Sequence, residues 1–324
     1  MCTAFTWQNG DHYLGRNLDL AYSYQETVSI TPRNFPLHFR KGPTLDRHYA
    51  MIGMAFVQDG YPLYYDAVNE YGLAMAGLHF PGNAVYYEED AAKDNITPFE
   101  FIPWILGQCK NLEEARTQLS RMNLWNCPFN EDLPLTPLHW LIADKERAIT
   151  VETMADGMKI HDNPMCLLTN NPPFDFMKHY LTFFRDLSPL PSENRLDKTL
   201  DLDIFCGGMA ARSLPGDWTS PSRFVKAAFV RGNSIAPKDE NSSISQVFHI
   251  LTAVERPRGC LMLADGRPDI TVYSACCNQD TGVYYYTTYD TRRISAVDMH
   301  REDLAGREVV SYPLHKEADI YFQN

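Results

Sequence analysis

Hydrophobic and polar positions along the chain divide it into blocks of strands and blocks of helices. In the N-terminal third, short runs of β-branched, aromatic or small apolar residues are bounded by Gly, Pro and Asn, which is typical of strands. These runs are CTAFTW, HYLGRN, TVSITP, HYAMIGMAFV and GLAMAGLHF. They predict one strand-rich layer.

Helical patterns begin at Thr97. The segment TPFEFIPWILGQCK offers Thr97 as the N-cap with Pro98 at the first helical position. Asn111 opens NLEEARTQLSRM, and Glu114 follows it at the spacing of a capping box. We therefore expect two consecutive helices here, and two more in SPSRFVKAAFV and SSISQVFHILTAV.

The remaining segments return to strands. HWLIADKERAITVETMADGMKIHD and CLLTNN have strand character, and DITVYSACCNQDTGVYYYTTYDTRRISAVDM predicts a meander of two or three strands. Because strands and helices alternate as blocks and not as βαβ units, the pattern predicts an α+β fold with segregated layers. The turn-rich stretch 184–216 is interpreted as an ordinary connection in preference to a long surface excursion.

Composition narrows the class of protein. The 324 residues are 44% hydrophobic, 22% charged and 12% aromatic, which excludes a disordered, collagen-like or coiled-coil chain. With no repeat and no flexible linker, a single domain over 1–324 is the simplest expectation. A formal net charge of −12 argues against a nucleic-acid partner. The chain shows neither a secretory signal nor a long apolar segment, so we expect a soluble protein in the cytoplasm.

Most catalytic motifs are absent. The sequence contains no GxSxG, HExxH, GxxxxGK[ST] or GxGxxG string, and its eight cysteines form no CxxC pair. What remains is Cys2, directly after the initiator Met1. Removal of Met1 would place a thiol and a free α-amine on one residue, so that nucleophile and general base come together. On position alone, a frayed terminus or a buried strand cysteine remains the alternative.

A hairpin adds to this possibility. After CTAFTW the chain turns at QNGD and returns through GRNLD, which carries Arg16 and Asp19 beside Cys2. A guanidinium beside sulfur favours the thiolate, and a carboxylate beside an ammonium group holds the chain start in place. The alternative interpretation of Arg16 and Asp19 is a surface ion pair of little energetic value.

Taken in order, MCT, GRNLD, NEYGLAMAGLHFPGNAVYY, PLHW, LTNNPPFD, GDWTSPSRF and GVYYYTTYD resemble the choloylglycine hydrolase family, which contains bile salt hydrolases and penicillin V acylases. The resemblance covers residues 2 to about 310. It implies an αββα four-layer sandwich of the N-terminal nucleophile hydrolase type, chemistry without metal or cofactor, hydrolysis of an amide, and a cytoplasmic homotetramer.

The resemblance also implies roles for individual residues. Cys2 is the expected nucleophile, positioned by Arg16 and Asp19 after Met1 has been removed. Asn170, in preference to Asn171, is expected to stabilise the oxyanion. The catalytic set is completed by Arg223 near the thiol and by the main-chain N–H of His79, which stands where the family has Asn or Tyr; the side chain of His79 would add a titrating group near the site.

A bulky apolar acyl group needs a hydrophobic cleft. The walls implied by the resemblance are Leu18, Tyr24, Gln58, Tyr65, Phe129 and Leu133. The predicted function is a bile salt hydrolase that cleaves glycine- and taurine-conjugated bile acids through a cysteine thioester. The alternatives are a penicillin V acylase or other N-acyl amide hydrolase, and a catalytically silent homologue that binds amphiphiles.

Overall fold

Strands make up most of the regular structure in the computed structural model, which describes residues 1–324. The strands are β1 (Cys2–Asn9), β2 (Asp11–Leu20), β3 (Thr27–Thr31), β4 (Met51–Gln58), β5 (Tyr61–Asn69), β6 (Ala74–His79), β7 (Asp94–Ile96), β8 (Met122–Leu124), β9 (Leu138–Ala143), β10 (Ala148–Met154), β11 (Gly157–Asp162), β12 (Leu167–Leu168), β13 (Ile270–Asn278), β14 (Val283–Thr288), β15 (Ser295–Asp298) and β16 (Val310–Pro313). The helices are α1 (Phe101–Gln108), α2 (Leu112–Arg121), α3 (Phe174–Leu181), α4 (Ser220–Asn233) and α5 (Glu240–Thr252).

Two large antiparallel sheets form the centre of the protein. One has six strands in the order β12-β1-β2-β13-β14-β15, and the other has eight in the order β11-β10-β9-β6-β5-β4-β3-β16. A small parallel pair, β7 and β8, lies apart from them. The N-terminal strands are divided between the two large sheets, so the single strand-rich layer predicted for this part of the sequence is two layers.

Helices cover the outer face of each sheet. Helix α1 packs on the eight-stranded sheet, where the Phe101 ring lies 4.8 Å from that of Trp140, and Leu119 of α2 belongs to the same buried cluster. On the other side, Leu251 of α5 packs against the six-stranded sheet and accepts a hydrogen bond from Asn17 Nδ2 at 2.9 Å. Between the sheets lies a second layer of buried side chains. The order of layers is therefore αββα, as the resemblance implied.

Local sequence patterns explain some element boundaries. Asn111 caps α2 as predicted, because its Oδ1 accepts from the Glu114 main-chain N–H at 3.0 Å. The predicted N-cap at Thr97 is wrong, since α1 begins at Phe101. Glu100 accepts from the Thr97 N–H through its side chain and donates its own N–H to the Thr97 carbonyl, each at 3.0 Å. These two bonds close a separate turn before the helix.

The stretch 184–216 corrects another expectation. It contains no strand and no α-helix, and no residue from 178 to 219 is buried. It is therefore a long surface excursion and not an ordinary connection. The predicted C-terminal meander is confirmed, because β13, β14 and β15 pair in sequence order. None of the five helices has both the length and the apolar character that a bilayer span requires.

Candidate active site

The β1–β2 hairpin brings Arg16 beside Cys2. Gly10, with φ of 76°, makes the turn, and the register places Ala4 opposite Arg16. Cys2 lies two residues from Ala4 and therefore on the same face, since side chains alternate along a strand. The result is a distance of 3.5 Å between Arg16 Nη2 and Cys2 Sγ.

Cys2 is almost fully buried, with 2% of its surface exposed. Its main-chain nitrogen donates to Asn170 Oδ1 at 2.8 Å, and its carbonyl accepts from Arg223 Nη1 at 2.6 Å. Met1 continues the strand, because its carbonyl accepts from the Asp19 N–H at 2.7 Å. The amino group of Met1 donates to the Asp19 carbonyl at 2.5 Å. Cys2 is thus neither frayed nor an isolated core cysteine.

Arg16 is held from the neighbouring sheet. In the β4–β5 ladder Met54 pairs with Asp66 and Ala55 pairs with Tyr64, so Tyr65 is the extra residue of a bulge. Its carbonyl accepts from Arg16 Nη1 at 2.6 Å. Arg16 is 1% exposed, which excludes the interpretation of a surface ion pair.

Asp19 lies beside the chain start with one oxygen free. Its Oδ1 accepts from the Thr271 hydroxyl at 2.7 Å, whereas Oδ2 is buried without a hydrogen-bond partner. Arg256 Nη1 lies 4.0 Å from that oxygen and 2.7 Å from Asp269 Oδ2, and Asp269 Oδ2 is 3.9 Å from the Met1 amino group. Sequence reasoning missed Thr271, Arg256 and Asp269, because no motif connects them with a strand some 250 residues earlier.

The side chain of Asn170 contacts Cys2 and Arg223 through its oxygen and His79 through its nitrogen. Its Oδ1 accepts from Arg223 Nη2 at 2.6 Å as well as from Cys2, and its Nδ2 donates to the His79 carbonyl at 2.6 Å. Its main-chain N–H donates to Ser220 Oγ at 2.8 Å. Asn171 Nδ2 instead donates to a carbonyl of the β6–β7 loop. The structure therefore places Asn170, and not Asn171, against Cys2.

Arg223 lies in the first turn of α4, where Thr219 Oγ1 accepts from the Ser222 N–H at 3.4 Å. Arg223 is fully buried, and Nη1 also donates to the Thr3 hydroxyl at 2.6 Å. Burial lowers the pKa of its guanidinium. A solvated arginine at a helix start is therefore excluded, and two guanidinium groups surround Cys2.

His79 ends strand β6 with its main chain directed into the site. The Phe80 N–H donates to the Pro137 carbonyl at 2.8 Å. Because hydrogen-bonded and non-bonded pairs alternate along an antiparallel ladder, the N–H and carbonyl of His79 point away from β9 and toward Asn170. The pKa of the His79 imidazole is lowered to about 4, mainly by burial and then by the positive charges of the N-terminal ammonium group and His139. Its side chain is therefore neutral at neutral pH.

A buried pair lies behind Asn170. His139 Nε2 is 2.8 Å from the Thr169 carbonyl, and Nδ1 is 3.0 Å from Glu152 Oε1. Glu152 Oε1 also accepts the Phe174 N–H at 3.0 Å, at the start of α3. The pair thus fixes both ends of the segment that carries Asn170. The motif PLHW contains His139, but nothing in the sequence indicated this contact.

The predicted cleft residues fall into two groups. Leu18 pairs with Cys2 across the hairpin, and Tyr65 lies in the bulge that holds Arg16, so both adjoin the thiol. The others lie on strand ends and loops. The Tyr24 ring is 6.0 Å from that of Phe56 in β4, and Gln58 ends the same strand.

The second group continues through aromatic contacts. Gln58 pairs with Tyr61, whose ring centroid is 6.1 Å from that of Phe129. Leu133 is half-buried in the loop after Phe129, where its N–H donates to Asn130 Oδ1 at 2.8 Å. The structure therefore places Leu18 and Tyr65 beside Cys2, whereas Tyr24, Gln58, Phe129 and Leu133 lie on strand ends and loops and stay predictions for the cleft.

Comparisons with known proteins agree with this geometry. The model of the linear amide C–N hydrolases of the choloylglycine hydrolase family matches residues 2–312. The bile salt hydrolase/transferase of Lactiplantibacillus plantarum is 49% identical over 324 residues, 100% of each chain. The crystal structure of the C2A mutant of the conjugated bile acid hydrolase from Clostridium perfringens is similar with a TM-score of 0.91 at 34% identity, over 100% of both chains. Penicillin V acylase from Agrobacterium tumefaciens has a TM-score of 0.72 at 21% identity, over 96% of this chain and 90% of that one, which shows the shared fold.

Proposed function

The chain belongs to the choloylglycine hydrolase family of linear amide C–N hydrolases, and we propose from this that it cleaves the amide bond of glycine- and taurine-conjugated bile acids. The observation that carries the proposal is the surround of Cys2. Arg16 Nη2 lies 3.5 Å from the buried sulfur of Cys2, and Asn170 Oδ1 lies 2.8 Å from the nitrogen of Cys2.

The reaction needs Met1 to be removed, because the nitrogen of Cys2 is otherwise an amide and has no basic lone pair. The free α-amine takes the thiol proton, and sulfur attacks the substrate carbonyl. The tetrahedral intermediate collapses to a thioester as the C–N bond breaks, and the leaving amine takes the proton from the α-ammonium group. Water, deprotonated by the same amine, then releases the bile acid and regenerates the thiol.

The negative oxygen of the tetrahedral intermediate needs donors. The Asn170 amide carries two N–H hydrogens, of which the His79 carbonyl uses one. The second is available to the oxyanion, together with the main-chain N–H of His79. In this proposal Arg16 and Arg223 stabilise the thiolate, and Asp19, whose buried Oδ2 has no hydrogen-bond partner, stabilises the positive charge of the α-ammonium group.

The cleft residues support a steroid acyl group. Leu18, Tyr65, Tyr24 and Phe129 offer apolar area, and the tyrosine hydroxyls suit a hydroxylated ring system. Gln58 adds a polar position at the end of β4.

Steady-state kinetics on glycocholate, taurocholate and penicillin V test the substrate. We expect the two conjugated bile acids to be preferred by kcat/KM, and a strong preference for penicillin V would favour the acylase alternative instead. Cys2→Ala should be inactive, whereas the matched control Cys206→Ala, which changes an exposed thiol, should retain full turnover. Retention of Met1 in purified protein without turnover would favour the silent amphiphile-binding alternative.

A second activity follows from the relative named hydrolase/transferase. A thioester can be attacked by an amine as well as by water, so we propose acyl transfer to amino acids as a side reaction. Mass spectrometry of cholate products formed in excess glycine or another amino acid measures it.

We also propose a cytoplasmic homotetramer. Phe183, directly before the surface excursion, and Leu196 and Phe205 within it are 81%, 85% and 85% exposed in the single chain. Large apolar side chains exposed to this extent support burial in a protein interface. A second copy of the chain would remove them from water.

A further inference from the structure

Asp66 and Cys2 both lie against the guanidinium of Arg16. Its Oδ2 is 3.5 Å from Arg16 Nε, while Arg16 Nη2 is 3.5 Å from Cys2 Sγ. Both Asp66 and Arg16 are 1% exposed. One buried guanidinium therefore contacts both a carboxylate and the sulfur, and no step of the reaction described above uses the carboxylate.

The opposite sheet fixes this carboxylate. Tyr273 in β13 donates its hydroxyl to Asp66 Oδ2 at 2.8 Å, and Tyr284 in β14 donates to Oδ1 at 2.6 Å. Burial raises the pKa of Asp66, whereas Arg16 and the two hydroxyl groups act in the opposite direction. Two neutral donors and one cation are the partners that a buried carboxylate requires.

We propose that Asp66 is a positioning residue that acts through Arg16. It holds the guanidinium at the sulfur, and it balances part of the positive charge that Cys2 experiences. A lone buried arginine would attract the thiolate more strongly, but its charge would have no carboxylate within ion-pair distance. The carboxylate therefore sets the pH range in which Cys2 is reactive.

Many charged or titratable groups surround the thiol, and the inference concerns only one of them. They come from β2, β5, β6, β13, α4 and the loop before β13, and they are Arg16, Asp19, Tyr65, Asp66, His79, Tyr273, Arg223, Arg256 and Asp269, together with the α-amine of Cys2. Cys277 and Tyr284 face Asp66 itself.

The test compares Asp66→Asn with the wild type after Met1 removal. Asparagine keeps the shape and an acceptor oxygen but removes the charge. The rate of iodoacetamide alkylation of Cys2, followed by peptide mass, is measured against pH. We expect the alkylation midpoint to move down by about one to two pH units, the effect of one charge less than about 10 Å from the sulfur at an effective dielectric constant of about 20. The acid limb of kcat/KM should move in the same direction.

Glu70→Gln is the matched control. It removes a carboxylate from an arginine near the end of the same strand, where Glu70 Oε2 is 2.5 Å from Arg33 Nη2. It should leave the midpoint unchanged. An unshifted midpoint in folded Asp66→Asn, or an equal shift in Glu70→Gln, would overturn the inference.

A second variant serves if Asp66→Asn does not fold. Tyr273→Phe keeps the carboxyl group but removes a donor that lowers its pKa, so the carboxyl group carries less negative charge beside Arg16. The alkylation midpoint should then move down, as in Asp66→Asn, and no movement or an upward one contradicts the inference. The inference rests on the proposed role of Cys2. Because alkylation needs no substrate, an error in the bile acid assignment would appear in the kinetic panel and leave this test unaffected.

Discussion

Truncation of the Asn170 side chain should lower kcat strongly, because the side chain is the proposed donor to the oxyanion. Asn170→Ala removes the amide that we propose as a donor to the oxyanion. Loss of one such donor lowers kcat by about 10² to 10³. Because the donor acts on charge that develops in the transition state, KM should change little.

The same substitution also costs stability. Asn170 Oδ1 accepts from Arg223 Nη2 at 2.6 Å and from the Cys2 nitrogen at 2.8 Å, and both donors are buried. A buried donor without a partner costs about 1 to 3 kcal/mol, so the two donors together should lower the free energy of unfolding by about 2 to 6 kcal/mol. For a chain of this length the melting temperature should fall by roughly 3 to 9 °C.

Steady-state kinetics on glycocholate and a thermal melt measure the two effects in one preparation. Asn171→Ala is the control, because Asn171 donates only to a loop carbonyl and lies one residue away. It should keep turnover within a few-fold of wild type. A loss of less than tenfold in Asn170→Ala, or an equal loss in Asn171→Ala, would refute the role of Asn170.

Three further predictions concern other parts of the molecule. Cys2→Ala should abolish hydrolysis with a change in melting temperature of only about 1 to 2 °C, and the intact mass of active wild-type protein should lack Met1. Burial lowers the pKa of His79 from 6.5 to about 4, so between these pH values the unfolded chain binds more protons than the folded one, and the folded state loses stability as the pH falls. His79→Asn should therefore lose less stability than the wild type between pH 6.5 and about pH 4, as measured by urea titrations. An equal loss in the two proteins would contradict the burial argument. The double variant Phe183→Glu and Phe205→Glu should run as a smaller species than wild type in light scattering after gel filtration, and an unchanged mass would place the interface elsewhere.

Local features of this fold, such as hairpin turns and helix caps, could be predicted from the sequence because residues close together in the chain determine them. The QNGD turn fixes the β1–β2 hairpin and, with it, the position of Arg16 beside Cys2. The Asn111 cap depends on a residue three positions away. The predicted start of α1 was wrong because Glu100 hydrogen-bonds to the Thr97 main chain and closes a separate turn. The helix therefore starts later than the capping pattern indicated.

The ordered motifs predicted which residues lie near Cys2, but not what surrounds each of them. Asn170 and Arg223 were expected near Cys2, and the structure adds that they also contact each other, through Oδ1 and Nη2. The expectation of a titrating imidazole at His79 ignored burial, which lowers its pKa to about 4. Composition and spacing contain no information on desolvation, since desolvation depends on which layers close over a side chain.

The partners of Arg16 show why the remainder of the site required coordinates. Its carboxylate comes from β5, and the hydroxyl groups that hold that carboxylate come from β13 and β14, more than 200 residues further along the chain. Aspartate in a strand and tyrosines in a meander have ordinary structural explanations when each is considered alone. Only the face-to-face packing of the two sheets turns them into one buried set around a guanidinium. The electrostatic environment of the nucleophile is therefore a property of the interface between the sheets, and substitutions on either sheet should change Cys2 reactivity without touching the substrate.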